Sequence, residues 1–248
     1  MFPIRAHNPS TRRPYVVYGL IVINVAVFVV CWLTIPNETA LQGFFYNWGL
    51  VPARVSAGFG LSTLLTSMFL HGGWLHIIGN MLFLWIFGDN LEDEMGHVKF
   101  AAFYLGAGLA AAFLQIAGDP ESYSPMIGAS GAIAGVMGGY LLLYPKARVD
   151  VLFIFIIFFR IFAIPAWIVL GIWFGVQIYS GSQASMLGDG VAHLAHIGGF
   201  VGGLVLTFPL WLRRGGTAYW RQNQGRPANP ETQFKLSKTT IPAVLRRK

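Results

Sequence analysis

The sequence predicts an all-α fold: a polytopic membrane protein in which six transmembrane helices form one bundle with a membrane-embedded first loop. Three observations predict it. Of 248 residues, 55% are hydrophobic and only 11% charged, with a mean hydropathy of +0.58, too apolar a balance for a soluble domain. Six apolar segments, near residues 15–35, 73–91, 98–117, 130–144, 161–179 and 191–212, answer to the helices that a hydrocarbon core of about 30 Å requires. The net charge of +7 sits mostly in connections and ends that one side of a membrane collects. The positive-inside rule explains it more simply than a nucleic-acid partner does.

Residues 1–14 form a cytoplasmic N-terminal segment with Arg5, Arg12 and Arg13. The twin arginines before an apolar run superficially resemble a secretion signal, but Pro14 follows, the run reaches Ile35, and no small-x-small site closes it. The first span is therefore read as retained. Cys31 lies within it as a packing residue, and a single cysteine allows no intramolecular disulfide. Residues 36–72 are too apolar for a solvated loop, with Phe44, Phe45, Tyr46, Trp48, Phe59, Leu64, Leu65 and Phe69. Short interfacial helices in the outer leaflet are expected there. After the second span, Glu92, Asp93 and Glu94 stand with Lys99 alone, an exception to the charge pattern. Asp119 and Glu121 in the third connection and Asp189 in the fifth face outward, while Lys146 and Arg148 hold the fourth inside.

The stretch Val151–Tyr179 is interrupted by Arg160 and Pro165, which sets the fifth span after Arg160. Arg160 then anchors at the cytoplasmic interface, and Trp167, Trp173 and Phe174 face lipid or pack. The six-helix domain covers residues 15–212, and the basic, aperiodic residues 213–248 are expected to be a disordered cytoplasmic tail.

Two polar residues share one depth. A fourth helix from Ser130 to Tyr144 rises roughly 22 Å against about 30 Å of hydrocarbon. Pro145, Lys146 and Arg148 fix its inner end, so Ser130 lies roughly 8 Å below the outer surface. The helix N-terminus there offers free N–H groups and positive partial charge, suited to an oxyanion. The segment Ser122–Ile127 must dip inward, buried in protein or lining a watery cavity. His196, about five residues into the sixth helix, reaches roughly the same depth. His196, Gly199 and Gly203 share a face, and Gly131, Gly135 and Gly139 repeat every four residues on the fourth helix. Such faces allow backbone-to-backbone packing and a Ser130–His196 hydrogen bond. His76 and Asn80, one turn apart in the outer half of the second span, suit oxyanion donors. Neither Asp119 nor Asp189 is placed as a third member, so the reading is a dyad. Ser130 is nucleophile and His196 general base and acid, oriented by packing or neighbouring hydroxyls.

These residues resemble the rhomboid family of intramembrane serine proteases. Gly128-Ala129-Ser130-Gly131 matches its GxSG motif, His76 with Asn80 its HxxxN element, and Ala195-His196 with Gly199 and Gly203 its AHxxGxxxG element, in the family's order. The likeness covers about residues 15–212. It implies Ser130 as nucleophile and His196 as base, with His76, Asn80 and the Ser130 N–H as the oxyanion site. Glu92 in Leu91-Glu92-Asp93-Glu94 corresponds to an acidic residue of structural role. One departure is Leu61-Ser62-Thr63, where the best-known bacterial branch carries a Trp-Arg pair; it bears on lipid contacts of the loop and on no catalytic residue.

Alone, Gly128 and Gly131 more often mean helix packing than catalysis; beside buried His196, His76 and Asn80 the balance reverses. His193 and His71 read as structural, one filling a polar rim and the other holding the first connection. Two rival classes fit less well. A metal protein would gather His71, His76, His193 and His196, but there is no HExxH and the carboxylates lie in connections. A transporter or catalytically inert chaperone suits glycine-rich helices, yet calls for no serine facing a histidine. The reading is an endopeptidase that cleaves in or near transmembrane segments, with no cofactor and no metal. Its partners are transmembrane protein substrates and the lipid bilayer, not nucleic acid, and the sequence carries no mark of oligomeric state. Short tails and no organelle-targeting segment point to a bacterial inner membrane, both termini cytoplasmic and the site opening outward.

Overall fold

The computed structural model describes residues 2–155, 158–187 and 192–231. The chain runs β1 (Phe2–Ala6), α1 (Tyr15–Thr34), α2 (Glu38–Trp48), α3 (Pro52–Ser56), α4 (Thr63–Thr66) and a 3-10 turn (Ser67–Phe69). It continues α5 (Trp74–Met95), α6 (His97–Gly118), α7 (Ser130–Leu143), β2 (Arg148–Phe155), β3 (Phe158–Pro165), α8 (Ala166–Leu187), α9 (His193–Arg213) and α10 (Thr217–Asn223). Each of the six expected segments holds a helix. By length and composition α1, α6 and α9 can cross a membrane, and Thr63–Phe69 with α5, bent by 96°, is a fourth candidate. α7 and Ala166–Ser182 of α8 are apolar but shorter.

The helix α7 is the axis of the bundle. Gly131 through Tyr140 are all buried, against α9 and α6 first and then α5. Small residues make this enclosure possible: a methyl built on Gly199 would overlap the Gly131 carbonyl, and one on Gly203 the Gly135 carbonyl. α1 is the opposite case. It buries only Val17, Asn24 and Phe28 and turns Val22, Val30 and Leu33 outward, the pattern of a helix bathed in lipid on most sides.

Its start is capped from elsewhere. No side chain of its own satisfies the first N–H groups. The buried Glu92 carboxylate of α5 accepts from the Val16 and Val17 N–H groups, both at 2.8 Å, and from His97 Nδ1 at 2.5 Å. The first connection does form short helices, α2 to α4. Asn37, part of a glycosylation-like tripeptide, accepts from the Ala40 N–H at 2.9 Å and so caps α2.

Two expectations are corrected. The fold is mostly helical but not all-α, because β1, β2 and β3 form an antiparallel sheet in that order. β3 also takes Arg160 and its neighbours, so the fifth helix begins at Ala166, after Pro165, rather than at 161. The run Val151–Phe155 is rich in β-branched and aromatic residues, and short apolar runs of that kind suit a strand as well as a helix. A proline at the strand-to-helix junction is where the chain can change type.

The tail is shorter than expected. α10 packs beneath the bundle, with Trp220 donating to the Leu142 carbonyl at 2.8 Å and Asn229 donating to Asp93 at 3.3 Å. Residues 214–231 therefore belong to the folded body, and the expectation of disorder over 232–248 lies outside the described residues.

Candidate active site

Ser130 is the first residue of α7, and Gly128 shapes the approach to it. Gly128 has a φ of +125°, which side chains rarely adopt, and a Cβ there would lie 2.8 Å from His76 Nε2. Its N–H donates to the Ser67 carbonyl at 2.9 Å, Met126 exchanges backbone bonds of 2.7 and 2.9 Å with Leu50, and Ala53 donates to the Ser122 carbonyl at 3.0 Å. The irregular segment before Ser130 is thus stitched to the first connection, the condition on which non-helical backbone survives at depth. Above it lies a cavity of about 440 Å³ lined by Ser67, His76, Gly128, Ser130, Gly131, Ala195 and His196, among others.

Ser130 Oγ is 2.8 Å from His196 Nε2. The contact follows from the glycine faces of α7 and α9, whose closeness leaves no room for side chains between them. The α9 terminus is itself held by α6, where Gln115 accepts from the Ala195 N–H at 3.2 Å. No side chain caps α7, so its first N–H groups are free at the cavity floor.

On the facing wall, His76 Nδ1 accepts a long bond of 3.4 Å from the Gly72 N–H. A backbone N–H can only donate, so the proton of a neutral His76 stays on Nε2, beside the space that a Gly128 side chain would fill. Asn80 is buried one turn deeper. It donates to the His76 carbonyl at 2.9 Å and keeps a second amide N–H, but it is not among the residues lining the cavity. His71 packs edge-on against His76, ring centroids 5.0 Å apart, and neither of its ring nitrogens has a partner among the described residues.

The sequence-based reading missed Gln177. Its Oε1 lies 2.7 Å from His196 Nδ1 and 2.9 Å from His193 Nδ1, and the side chain is buried. Packing or hydroxyls were expected to orient His196; an amide holds it instead. The available signal was a glutamine in the middle of an apolar span, one turn after a tryptophan. That tryptophan, Trp173, lies 5.8 Å from the His196 ring, and Phe174 stacks on Phe200 at 4.3 Å, so both pack rather than face lipid; Trp167 is exposed. Asp119 is exposed at the end of α6, and Asp189 lies outside the described residues. Glu92 stands at the far end of α5 from His76, in the α1 cap. The four histidines of the metal reading do not converge: among the described residues no three His, Cys, Asp or Glu are placed to hold one ion.

Comparison with known proteins gives a family. The model of the Rhomboid domain matches residues 59–213. The human mitochondrial presenilin-associated rhomboid-like protein is 32% identical over 142 residues, covering 56% of this chain and 35% of that protein. Mitochondrial rhomboid protein 1 of Saccharomyces cerevisiae is 30% identical over 155 residues, 59% of this chain and 41% of its own. RHOMBOID-like protein 4 of Arabidopsis thaliana is 27% identical over 256 residues, 90% of this chain and 59% of that protein. The matched stretches therefore span less than two thirds of each of these relatives.

Proposed function

The chain belongs to the rhomboid family, and from that premise we propose that it is an intramembrane serine endopeptidase, cleaving peptide bonds in or near transmembrane segments of other membrane proteins. The observation that carries the proposal is the 2.8 Å bond between Ser130 Oγ and His196 Nε2 at an uncapped helix start inside a cavity.

Ser130 Oγ attacks the scissile carbonyl carbon while its proton passes to His196 Nε2. The carbonyl oxygen becomes an oxyanion, met by His76 Nε2–H and the free N–H groups at the α7 start, with Asn80 supporting His76 and offering its second N–H. Collapse breaks the C–N bond, and His196 returns the proton to the leaving amine. Water from the cavity then attacks the ester carbonyl, His196 takes its proton and returns it to Ser130 Oγ, and the acid product leaves.

In this reading all six of α1, α5, α6, α7, α8 and α9 lie across the bilayer, α7 with its start sunk below the outer face. Basic ends and the sheet lie on the inner side. Relatives named as mitochondrial stand against the bacterial inner membrane expected from the sequence, so only the orientation is carried forward. Substrates are transmembrane proteins entering from the lipid.

The test is purified Ser130→Ala and His196→Ala in detergent or liposomes with a fluorescent transmembrane substrate and a fluorophosphonate probe. Cleavage is expected to fall at least ~10³-fold in either, and labelling to vanish in Ser130→Ala. Wild-type cleavage by folded Ser130→Ala overturns the reading.

A further inference from the structure

Helix α8 reaches the imidazole of His196 with two side chains one turn apart. Trp173 lies against the ring, and Gln177 Oε1 sits 2.7 Å from Nδ1. The same oxygen is 2.9 Å from Nδ1 of His193 on α9. A carbonyl oxygen only accepts, so both Nδ1 atoms donate to it. With the proton on Nδ1, neutral His196 presents a bare Nε2 to the Ser130 hydroxyl, the tautomer that a general base must have. The opposite amide orientation would set an N–H donor against both rings and move each proton to Nε2, and Ser130 would then face a donor and keep its proton.

We propose that Gln177 is the positioning residue of this site, fixing the tautomer and plane of His196 from the place that a carboxylate takes in a three-membered serine hydrolase relay. The proposal rests on Ser130 and His196 being nucleophile and base. A neutral amide suits the surroundings. An unpaired carboxylate inside a bilayer is costly, whereas an amide oxygen satisfied by two imidazole N–H groups is not. The same oxygen links His193 into the chain, which gives that histidine a role beyond a polar rim. Its partner Gln177 is 8% exposed, so water does not compete freely for the bond.

The experiment measures fluorophosphonate labelling rate and substrate kcat against pH for wild type, Gln177→Met, Gln177→Glu and Ser130→Ala, each checked for thermal stability. Ser130 from α7, His76 from α5, His193 from α9 and Trp173 from α8 face the His196 ring and are unchanged in the Gln177 variants. The series is repeated in Asp189→Asn to remove the carboxylate that precedes α9. Gln177→Met keeps the length and loses the acceptor, and is expected to lower plateau labelling and kcat about tenfold, the factor one net hydrogen bond is worth, with KM little changed. Gln177→Glu keeps the acceptor and adds a negative charge beside the imidazole. It is expected to hold the plateau within about threefold while the rising limb of the profile moves about one unit or more to higher pH. A merely structural glutamine would lower stability in both variants and leave kcat per folded molecule of Gln177→Met at the wild-type value. Wild-type rates and profile in Gln177→Met, or an unmoved limb in Gln177→Glu, overturn the proposal. Labelling that persists in Ser130→Ala overturns instead the reading on which it rests. Should Gln177→Met fail to fold, Gln177→Glu decides: its plateau must stay within about threefold and its limb must move, and failure of either overturns the proposal.

Discussion

The Ser130 end and the opposite end of this bundle solve the problem of polar groups in opposite ways. Around Ser130 the chain gathers neutral groups: a hydroxyl, the imidazoles of His76 and His196, and the Gln177 amide, arranged about a cavity. At the other end it gathers formal charges in pairs. Glu92 caps α1 and meets His97, Asp93 lies 3.8 Å from Arg12, Arg214 Nε lies 2.6 Å from Glu94, and Arg5 with His7 holds Asp150 in the sheet. The contrast has one physical cause. Ions are costly deep in a bilayer and cheap at its edge, so chemistry at depth is built from neutral dipoles and anchoring at the edge from ions.

Four substitutions sharpen that contrast. The bundle has no slack where α7 meets α9, because a Cβ on Gly203 would strike the Gly135 backbone. Gly203→Val is therefore expected to cost ~3 kcal/mol or more and to lower the yield of folded protein sharply, as seen by size-exclusion and thermal unfolding. A normally folded, active variant would refute the backbone-to-backbone packing. Next in size, His76→Ala should lower kcat about 10²- to 10³-fold with unchanged thermal stability, the signature of a lost oxyanion donor. A loss confined to KM would instead place His76 in substrate binding.

At the opposite end the effect moves from activity to stability. Glu92→Ala uncaps α1 and is expected to cost about 1–3 kcal/mol of stability while activity per folded molecule stays near wild type. A kcat defect without a stability defect would break the division between the two halves.

The smallest effect is in pH. Burial acts to raise the Asp150 carboxyl, but hydrogen bonds from His7 and Arg5 outweigh it and hold the group below its ordinary value of 3.8. A group depressed in the folded state stabilises above its unfolded value and loses that contribution as pH falls through the folded one. Thermal unfolding of wild type should therefore lose a small increment below about pH 3.8, and Asp150→Asn should lack that increment. Identical acid limbs would mean that the Asp150 pairs add nothing to stability.

Much of the site around Ser130 is legible in the sequence, for a definable reason. Helix rise is constant and residues three and four apart share a face, so Ser130, His196 and His76 fall at one level and the glycine faces can be set together. Gln177 is not legible in that way, because the face of α8 that turns inward is settled only by its packing on α9. Asn80 is legible as a buried polar group, but that one of its N–H groups goes to the His76 carbonyl follows from local geometry. The exception in the charge pattern at Glu92, Asp93 and Glu94 makes sense through Thr11, the start of α1, His97 and residues 214–231, which bring these carboxylates their partners.

The sequence by itself determined the membrane class, the order of the helices and the residue types at the site, since all of these rest on composition and on periodicity within one element. Tertiary structure alone decided that β1 joins the sheet, because β1 and β2 lie some 145 residues apart in the chain, as the Arg5–Asp150 pair shows. It alone decided which side chain orients His196. Both are contacts between separate elements, and such contacts leave no period to read.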